Sequence, residues 1–513
     1  MPSTWLSRGI SARSRITRSQ AATRTTPASY ASTSRLTWAG VSPDEAKQLA
    51  TTLTPVGAEK AANKDGTIPV YTGGLTTAPA SYQKGSKVRT DPFADEKPRL
   101  VIAAKDVDAN ADKLTEGTKA LLKRYPTMRL DVYPTHRTAS LPQFVLDNTV
   151  KNATGAKAVE GGLGVENALA GYPFPIPKTG AEAMWNHLLR YSGLGYDGSR
   201  YENWNVDSAG VATLAVAADA FWAWPIYDPK RTGVLKGTDP YWYNKLLYVG
   251  PARRNGEALL IIDSVNPLQQ SRKAWQYLPG QRRTRLAPDL AYDTPNPGAA
   301  GTGTYDDVSV FNGALDRYDW KLVGKKEMYV PYSNYKLTYH KPVSDITKPN
   351  HLNPDLVRWE LHRVWVVEGT LKADKRHIYS KRTFYLDEDA WTALASDEYD
   401  ARGQLYRSSF AFQSQSYDVQ APFDTTFAIY DFTSGAYNIT GLFGSYDGLK
   451  YMTMATAGSC WPPAARASRP PPTSSCGRRT ARCCSMFMAR SSSCASSRFA
   501  AGGRWWWQWF RSR

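Results

Sequence analysis

After Tyr191 the chain reads as β-strand for about 250 residues, and one strong amphipathic helix leads into that run. Nothing else constrains the fold as much, because successive strands joined by short polar turns pair as an antiparallel meander. The helix signal lies in 172–191, YPFPIPKTGAEAMWNHLLRY. Pro173, Pro175 and Pro177 fix φ and lack an N–H, so the approach is extended. Thr179 with Glu182 three residues on is a capping box, which starts a helix. Ala181, Met184, Trp185, Leu188 and Leu189 then share one apolar face, and Glu182, Asn186 and Arg190 are expected to make a wet one. Such a helix needs a sheet to bury its Trp185 side.

The spacing predicts strands over 199–206, 211–224, 241–250, 257–264, 273–278 and 281–286. They resume at 327–330, 335–340, 357–368, 376–386, 392–395, 404–412, 425–430 and 436–440. The clearest alternation puts Val357, Trp359, Leu361, Trp365 and Val367 on one face and Arg358, Glu360, His362 and Glu368 on a polar one. Upstream, Ser42 and Pro43 start a helix running toward Leu53. A second helix spans 109–125, and 133–145 reads as an extended connector.

The formal charge of +18 invites a nucleic-acid reading, but its location removes it. Residues 1–40 hold six arginines and no Lys, Asp or Glu, and residues 459–513 hold ten arginines and again none of those three. Without these sixteen, 48 basic residues face 46 acidic ones, a nearly neutral body. All five cysteines (Cys460, Cys476, Cys483, Cys484, Cys494) also lie in the last 55 residues, without paired spacing or a histidine partner. Three readings of the ends compete: a transit peptide at 1–40; basic arms with Trp505 to Trp507 at an interface; or, with one cause for both ends, shifted reading frames in GC-rich DNA. The expected organisation is therefore 1–40 in place of a signal peptide, a helix-and-loop region at 41–178, a helix plus β half-barrel at 179–456, and a disordered tail at 459–513. The best membrane candidate, 211–227, falls short of ~20 residues and carries Asp219 and Pro225, so no transmembrane segment is expected.

Several stretches together resemble a known family. They are TLTPVGAEKAANKDGTIPVYTGGL (52–75), DPFADEKP (91–98), YPTHRTASLPQFV (133–145), the 172–191 stretch, AWQYLPGQRRTRLAPD (274–289) and RTFYLDEDAWTALASDEYDARGQLYR (382–407). The chain is identified on them as a member of domain-of-unknown-function family 1329, Gram-negative periplasmic proteins labelled outer-membrane lipoprotein-sorting-like after LolA and LolB. The resemblance implies a mainly β fold with helices: an unclosed β-barrel or strongly curved antiparallel sheet wrapped over a few helices, with a cavity for acyl chains or another amphiphile. It also implies a periplasmic location, an inner-membrane exporter and an outer-membrane partner. The family begins with a signal peptide that this chain does not show, and its C-terminal end is not recognisable after about Thr456.

No GxSxG, HExxH, P-loop or GxGxxG is present, and the body has no cysteine nucleophile. The six histidines lack metal-ligand spacing, so neither a metal nor a cofactor is expected. His362 reads as a solvated strand histidine, His187 as a hydrogen-bonded structural one, and Asp387, Glu388 and Asp389 as a polar hairpin tip. What the body has in quantity is aromatic surface. Met184, Trp185, Leu188, Trp222, Trp224, Trp242, Trp275, Tyr277, Trp359 and Trp365 are the candidate cavity residues, with core packing the competing reading. The function expected is a non-enzymatic carrier or chaperone for a lipid-like or other hydrophobic ligand. A hydrolase of hydrophobic esters and a glycan-binding module are the other classes.

Overall fold

Side chains alternate across a strand, and here both sets are apolar. Phe427 and Ile429 turn into one hydrophobic cluster, whereas Ala428 and Tyr430 turn into a second. Phe384 and Leu386 are likewise divided from Tyr385. The middle of the sheet is therefore covered on both faces, so its strands read as continuous apolar runs. A computed structural model describes residues 40–228 and 230–452. The segments 1–39 and 453–513, on which the readings of the two ends fall, lie outside the described residues.

Fifteen strands form one sheet. From edge to edge it runs Leu100–Ile102, Leu130–Val132, Arg358–Leu371, Lys381–Asp387, Ala393–Tyr399, Leu405–Ala411, Phe427–Asp431 and Tyr437–Leu442. It continues through Gly195–Val206, Ala212–Ala223, Pro240–Gly250, Ala258–Ser264, Lys273–Leu278 and Arg283–Leu286. Tyr318–Pro331 branches off by pairing with Arg358–Leu371. The end strands do not pair with each other, so the sheet is not closed into a barrel. Its register slips at several points, including Asp197/Ser199 and Ala217/Ala218, and such bulges bend strands. One pairing corrects the all-antiparallel expectation: Arg358 and Trp359 run parallel to Asp131 and Val132. Parallel neighbours need a long connection, and more than 200 residues of chain lie between these two.

The helix Gly180–Leu188 packs on Tyr318–Pro331 and Arg358–Leu371, and its Thr179/Glu182 capping box is formed reciprocally. Its expected wet face does not exist, since all nine residues are buried. The polar residues there satisfy backbone instead of water. Asn186 accepts from the Phe174 N–H at 2.9 Å and donates to the Phe174 carbonyl at 2.7 Å. A second helix, Glu116–Arg124, is placed by the N-cap Thr115 and packs through Leu121 and Leu122 into the second cluster. The preceding Asp108–Lys113 is 3-10, so the helix predicted over 109–125 starts late.

Two elements differ in kind from the expectation. Residues Gln143–Gly155 form a helix where part of an extended connector was expected, with Val145, Thr149, Asn152 and Ala153 as its buried stripe. Lys336–His340 is a π-helical turn where a strand was predicted. Tyr335 and Tyr339 lie four apart and both enter the first cluster. That spacing satisfies a strand period of two as well as a helical one.

Candidate functional site

The capping box sets the Gly180–Leu188 helix so that Trp185 points into the first cluster, with its Nε1 donating to the Gly162 carbonyl at 2.9 Å. Its ring meets Tyr241 edge to face, with centroids 6.4 Å apart. These two aromatics form the floor of a cavity of about 160 Å³. Its wall carries an ion pair of a half-buried Arg272 with a buried Asp263 at the end of the apolar strand Ala258–Ser264: Arg272 donates twice to Asp263, at 2.7 Å each. Arg272 also donates to the Asn312 carbonyl at 2.8 Å, and the Asn312 amide reaches Asp263 at 3.3 Å. Burial works against the Arg272 charge, but Asp263 outweighs it and holds the guanidinium above its ordinary range. The rim carries Leu268, 57% exposed, and Tyr292, whose hydroxyl donates to Asp316 at 3.1 Å. An apolar floor with few, already paired, polar groups is the usual make-up of a ligand pocket. The volume is that of a cavity holding one benzene-sized group, below the roughly 300–1,000 Å³ of pockets for larger molecules.

Of the ten candidate residues, Trp185 lines this cavity. Met184, Leu188, Trp222, Trp224 and Trp242 are buried in the same cluster. There Trp222 packs edge to face on Trp242 at 5.4 Å and stacks on Tyr196 at 5.4 Å. Trp275 and Tyr277 are half-buried on Lys273–Leu278, next to the Arg283–Leu286 edge. Trp365 is half-buried and stacks on Trp391 at 5.9 Å. Trp359 belongs to the second cluster, against Phe410 at 5.7 Å. The stripe read along 357–368 is thus divided between the two clusters, because a fourteen-residue strand twists along its length. Tyr241, Asp263, Leu268 and Arg272 complete the site without having been candidates. The legible signal for them was a carboxylate, Asp263, ending the apolar run ALLIID.

The expected polar hairpin tip is buried. Asp387, Glu388 and Asp389 are at most 3% exposed. Arg137, from a loop some 250 residues upstream, donates to Asp389 at 2.9 and 2.6 Å and to Glu388 at 3.3 Å. Arg363 and Lys325 each meet Glu388 at 2.9 Å, and both also pair with Glu59. His362, expected to be solvated, is 1% exposed, with Nε2 3.1 Å from Glu360 and its ring stacked on Tyr332 at 3.8 Å. Arg358 ties Glu360 to Glu96, each at 2.6 Å. Burial and the neighbouring Asp389 push the Asp387 carboxyl up to about 7. Local sequence shows acids at a turn; it does not show the basic residues that arrive from elsewhere. His187 is structural, as expected: its ring nitrogens lie 3.1 and 2.9 Å from the Trp391 and Phe311 carbonyls, and burial holds its pKa well below neutrality.

The family model described as "Protein of unknown function (DUF1329)" matches residues 101–465. The chain belongs to this family. The DUF1329 match takes in the cavity lining and the group His362, Asp387 and Asp389, whereas Glu59 and Glu96 of the ionic network lie before it. The chain is also 45% identical, over 409 residues, to "Uncharacterized protein PA3922" of Pseudomonas aeruginosa, covering 79% of this chain and 88% of that one. Among solved structures, a DUF1329 family protein from Desulfovibrio piger is 16% identical over 48% of this chain and 82% of its own, with a TM-score of 0.32. The LolA superfamily protein NE2245 from Nitrosomonas europaea is 12% identical over 51% and 90%, with a TM-score of 0.31. At such scores the architecture rests on the strand order above and not on the likeness. No helix among the described residues is long and apolar enough to cross a membrane.

Proposed function

We propose that this DUF1329 member is a non-enzymatic periplasmic carrier that binds a lipid-like or other hydrophobic ligand by its apolar end. The observation that supports this is the cavity floored by Trp185 and Tyr241, with an exposed Leu268 at its rim and its wall charges already neutralised as the Arg272–Asp263 pair. Each methylene moved from water onto that floor contributes about 0.8 kcal/mol. A C12 to C16 chain is larger than the enclosed volume, so it enters end first, and the segments 265–272 and 287–316 part to admit more of it. No covalent step is needed. The same reading places the protein between an inner-membrane exporter and an outer-membrane partner.

The test is a titration of delipidated full-length protein with a fluorescent fatty acid, beside native mass spectrometry of the untreated protein for co-purified lipid. Leu268→Asp should weaken probe binding by about tenfold or more, since it sets a charge on the apolar entry. Val70→Asp, an equally exposed position outside the cavity lining, should leave binding unchanged. A wild-type protein that neither binds the probe nor carries lipid would remove the carrier reading.

A further inference from the structure

The turn that follows Lys381–Asp387 encloses a second group of side chains with a different chemistry. One ligand atom each from His362, Asp387 and Asp389 lie within 4.8 Å of one another, and all three residues are buried. Asp387 is wholly buried; its Oδ2 accepts from the Tyr332 hydroxyl at 3.0 Å, while its Oδ1 has no hydrogen-bond partner. A carboxylate oxygen left without a partner away from water is costly, and a cation supplies the missing interaction.

The neighbours of this group fit the same purpose. Glu360 engages His362 Nε2, which leaves Nδ1 as the second ring nitrogen, and Tyr332 holds the ring by stacking. A carboxylate that orients a histidine through one nitrogen while the other meets a metal is the usual outer shell of such sites. Arg137 holds Asp389 by a fork, one donor to each carboxylate oxygen, at 2.9 and 2.6 Å.

We infer that His362, Asp387 and Asp389 form a site for one divalent transition-metal ion, which fastens the turn after Lys381–Asp387 to the strand Arg358–Leu371. One imidazole with two carboxylates suits zinc or manganese. The ion is a brace and takes no part in the ligand cavity, whose lining includes none of the three residues.

The experiment uses the full chain with its five cysteines alkylated, because thiolates are themselves zinc ligands. After EDTA treatment it is titrated with zinc chloride by calorimetry and melted with and without the ion. One equivalent should bind per chain, and saturating zinc should raise Tm by at least about 2 °C. Asp387→Asn keeps the size of the side chain and an acceptor for Tyr332. It should bind zinc at least about tenfold more weakly, yet melt no lower than wild type in EDTA. If that variant fails to fold, cobalt(II) in the wild type decides, with ligand-field bands distinct from those of the aqueous ion expected. Substoichiometric zinc with no change in Tm, an unaltered affinity in Asp387→Asn, or an aqueous cobalt spectrum would each overturn the site.

Discussion

Replacing Trp185 by alanine separates a residue that holds the fold from one that also meets ligand. The indole is 2% exposed. Burying roughly 150–250 Å² at about 25 cal/mol per Å² gives an upper bound of about 4–6 kcal/mol, and large-to-small core substitutions of this kind cost about 3–5 kcal/mol. The Gly162 carbonyl also loses its donor, about 1 kcal/mol more. Against this, one side of the ring already faces a cavity of about 160 Å³ and has fewer packing partners to lose. The expected loss is therefore near the lower end, about 3 kcal/mol, with a folded product. Chemical denaturation measures the loss, and titration with a fluorescent fatty acid measures affinity, which should change clearly. Glu182→Gln, which alters the helix cap and not the cavity, should leave affinity unchanged. A folded Trp185→Ala protein with unaltered affinity would refute the reasoning and remove this helix from the site. A loss well above 5 kcal/mol would make Trp185 core and nothing more.

Gly117→Ala, ordinarily stabilising in a helix by about 0.5–1 kcal/mol, should here destabilise. A Cβ at that position would sit 2.0 Å from Ser408 Oγ and 2.7 Å from Asp397 Oδ1, so melting curves should move down instead of up. Asp397 is fully buried, and burial pushes its carboxyl up to about 6 against donors from Gly117, Ser408, Tyr385 and Glu116. A raised carboxyl contributes stability below its unfolded pKa of about 4 and loses it as pH rises through 6, so the advantage of wild type over Asp397→Asn should shrink by about 3 kcal/mol between pH 4 and 7. Urea melts at the two pH values decide, and an advantage that grows with pH would mean that the four donors outweigh burial. Arg382, wholly buried between Asp306 at 3.1 Å and Asp307 at 2.7 Å, should cost about 3–5 kcal/mol on replacement by alanine. Arg382→Lys should recover little of this in denaturation, because Asp306 and Asp307 are met by two separate nitrogens of the planar guanidinium, a spread that the single nitrogen of an ammonium lacks.

What the sequence disclosed was periodicity. Strand positions such as 199–206 and 273–278, the Thr179 cap and the Trp185 face could be read because each is a local pattern, and the sheet builds on them. Partnership could not be read. Arg358, Glu360 and His362 alternate like a wet face, yet meet Glu96, Tyr332 and each other inside the protein. Asn186 and Glu182 look like surface residues but satisfy backbone groups of the chain before their own helix. The cavity shows the same division: Trp185 was visible as part of a helical stripe, whereas Arg272 and Leu268 come from loops with no period. The helix Gln143–Gly155 escaped because Thr149 and Asn152, polar residues of its buried stripe, face inward where an apolar pattern is sought.

The strand order also governs the time at which the molecule can become whole. Tyr437–Leu442 pairs with Phe427–Asp431 on one side and with Gly195–Val206, more than 200 residues earlier, on the other. Until it is in place, the meander from Gly195 to Leu286 is not joined to the strands between Tyr318 and Asp431, and each presents an open row of amides and carbonyls. Closing such a long loop comes before any reward from the contacts it brings, which makes this step slow and leaves the open rows as templates for the wrong partner. Synthesis must pass Leu442 before the step can begin, so a ribosome stalled short of that point would hold two half-sheets whose facing backbone edges have no strand to pair with.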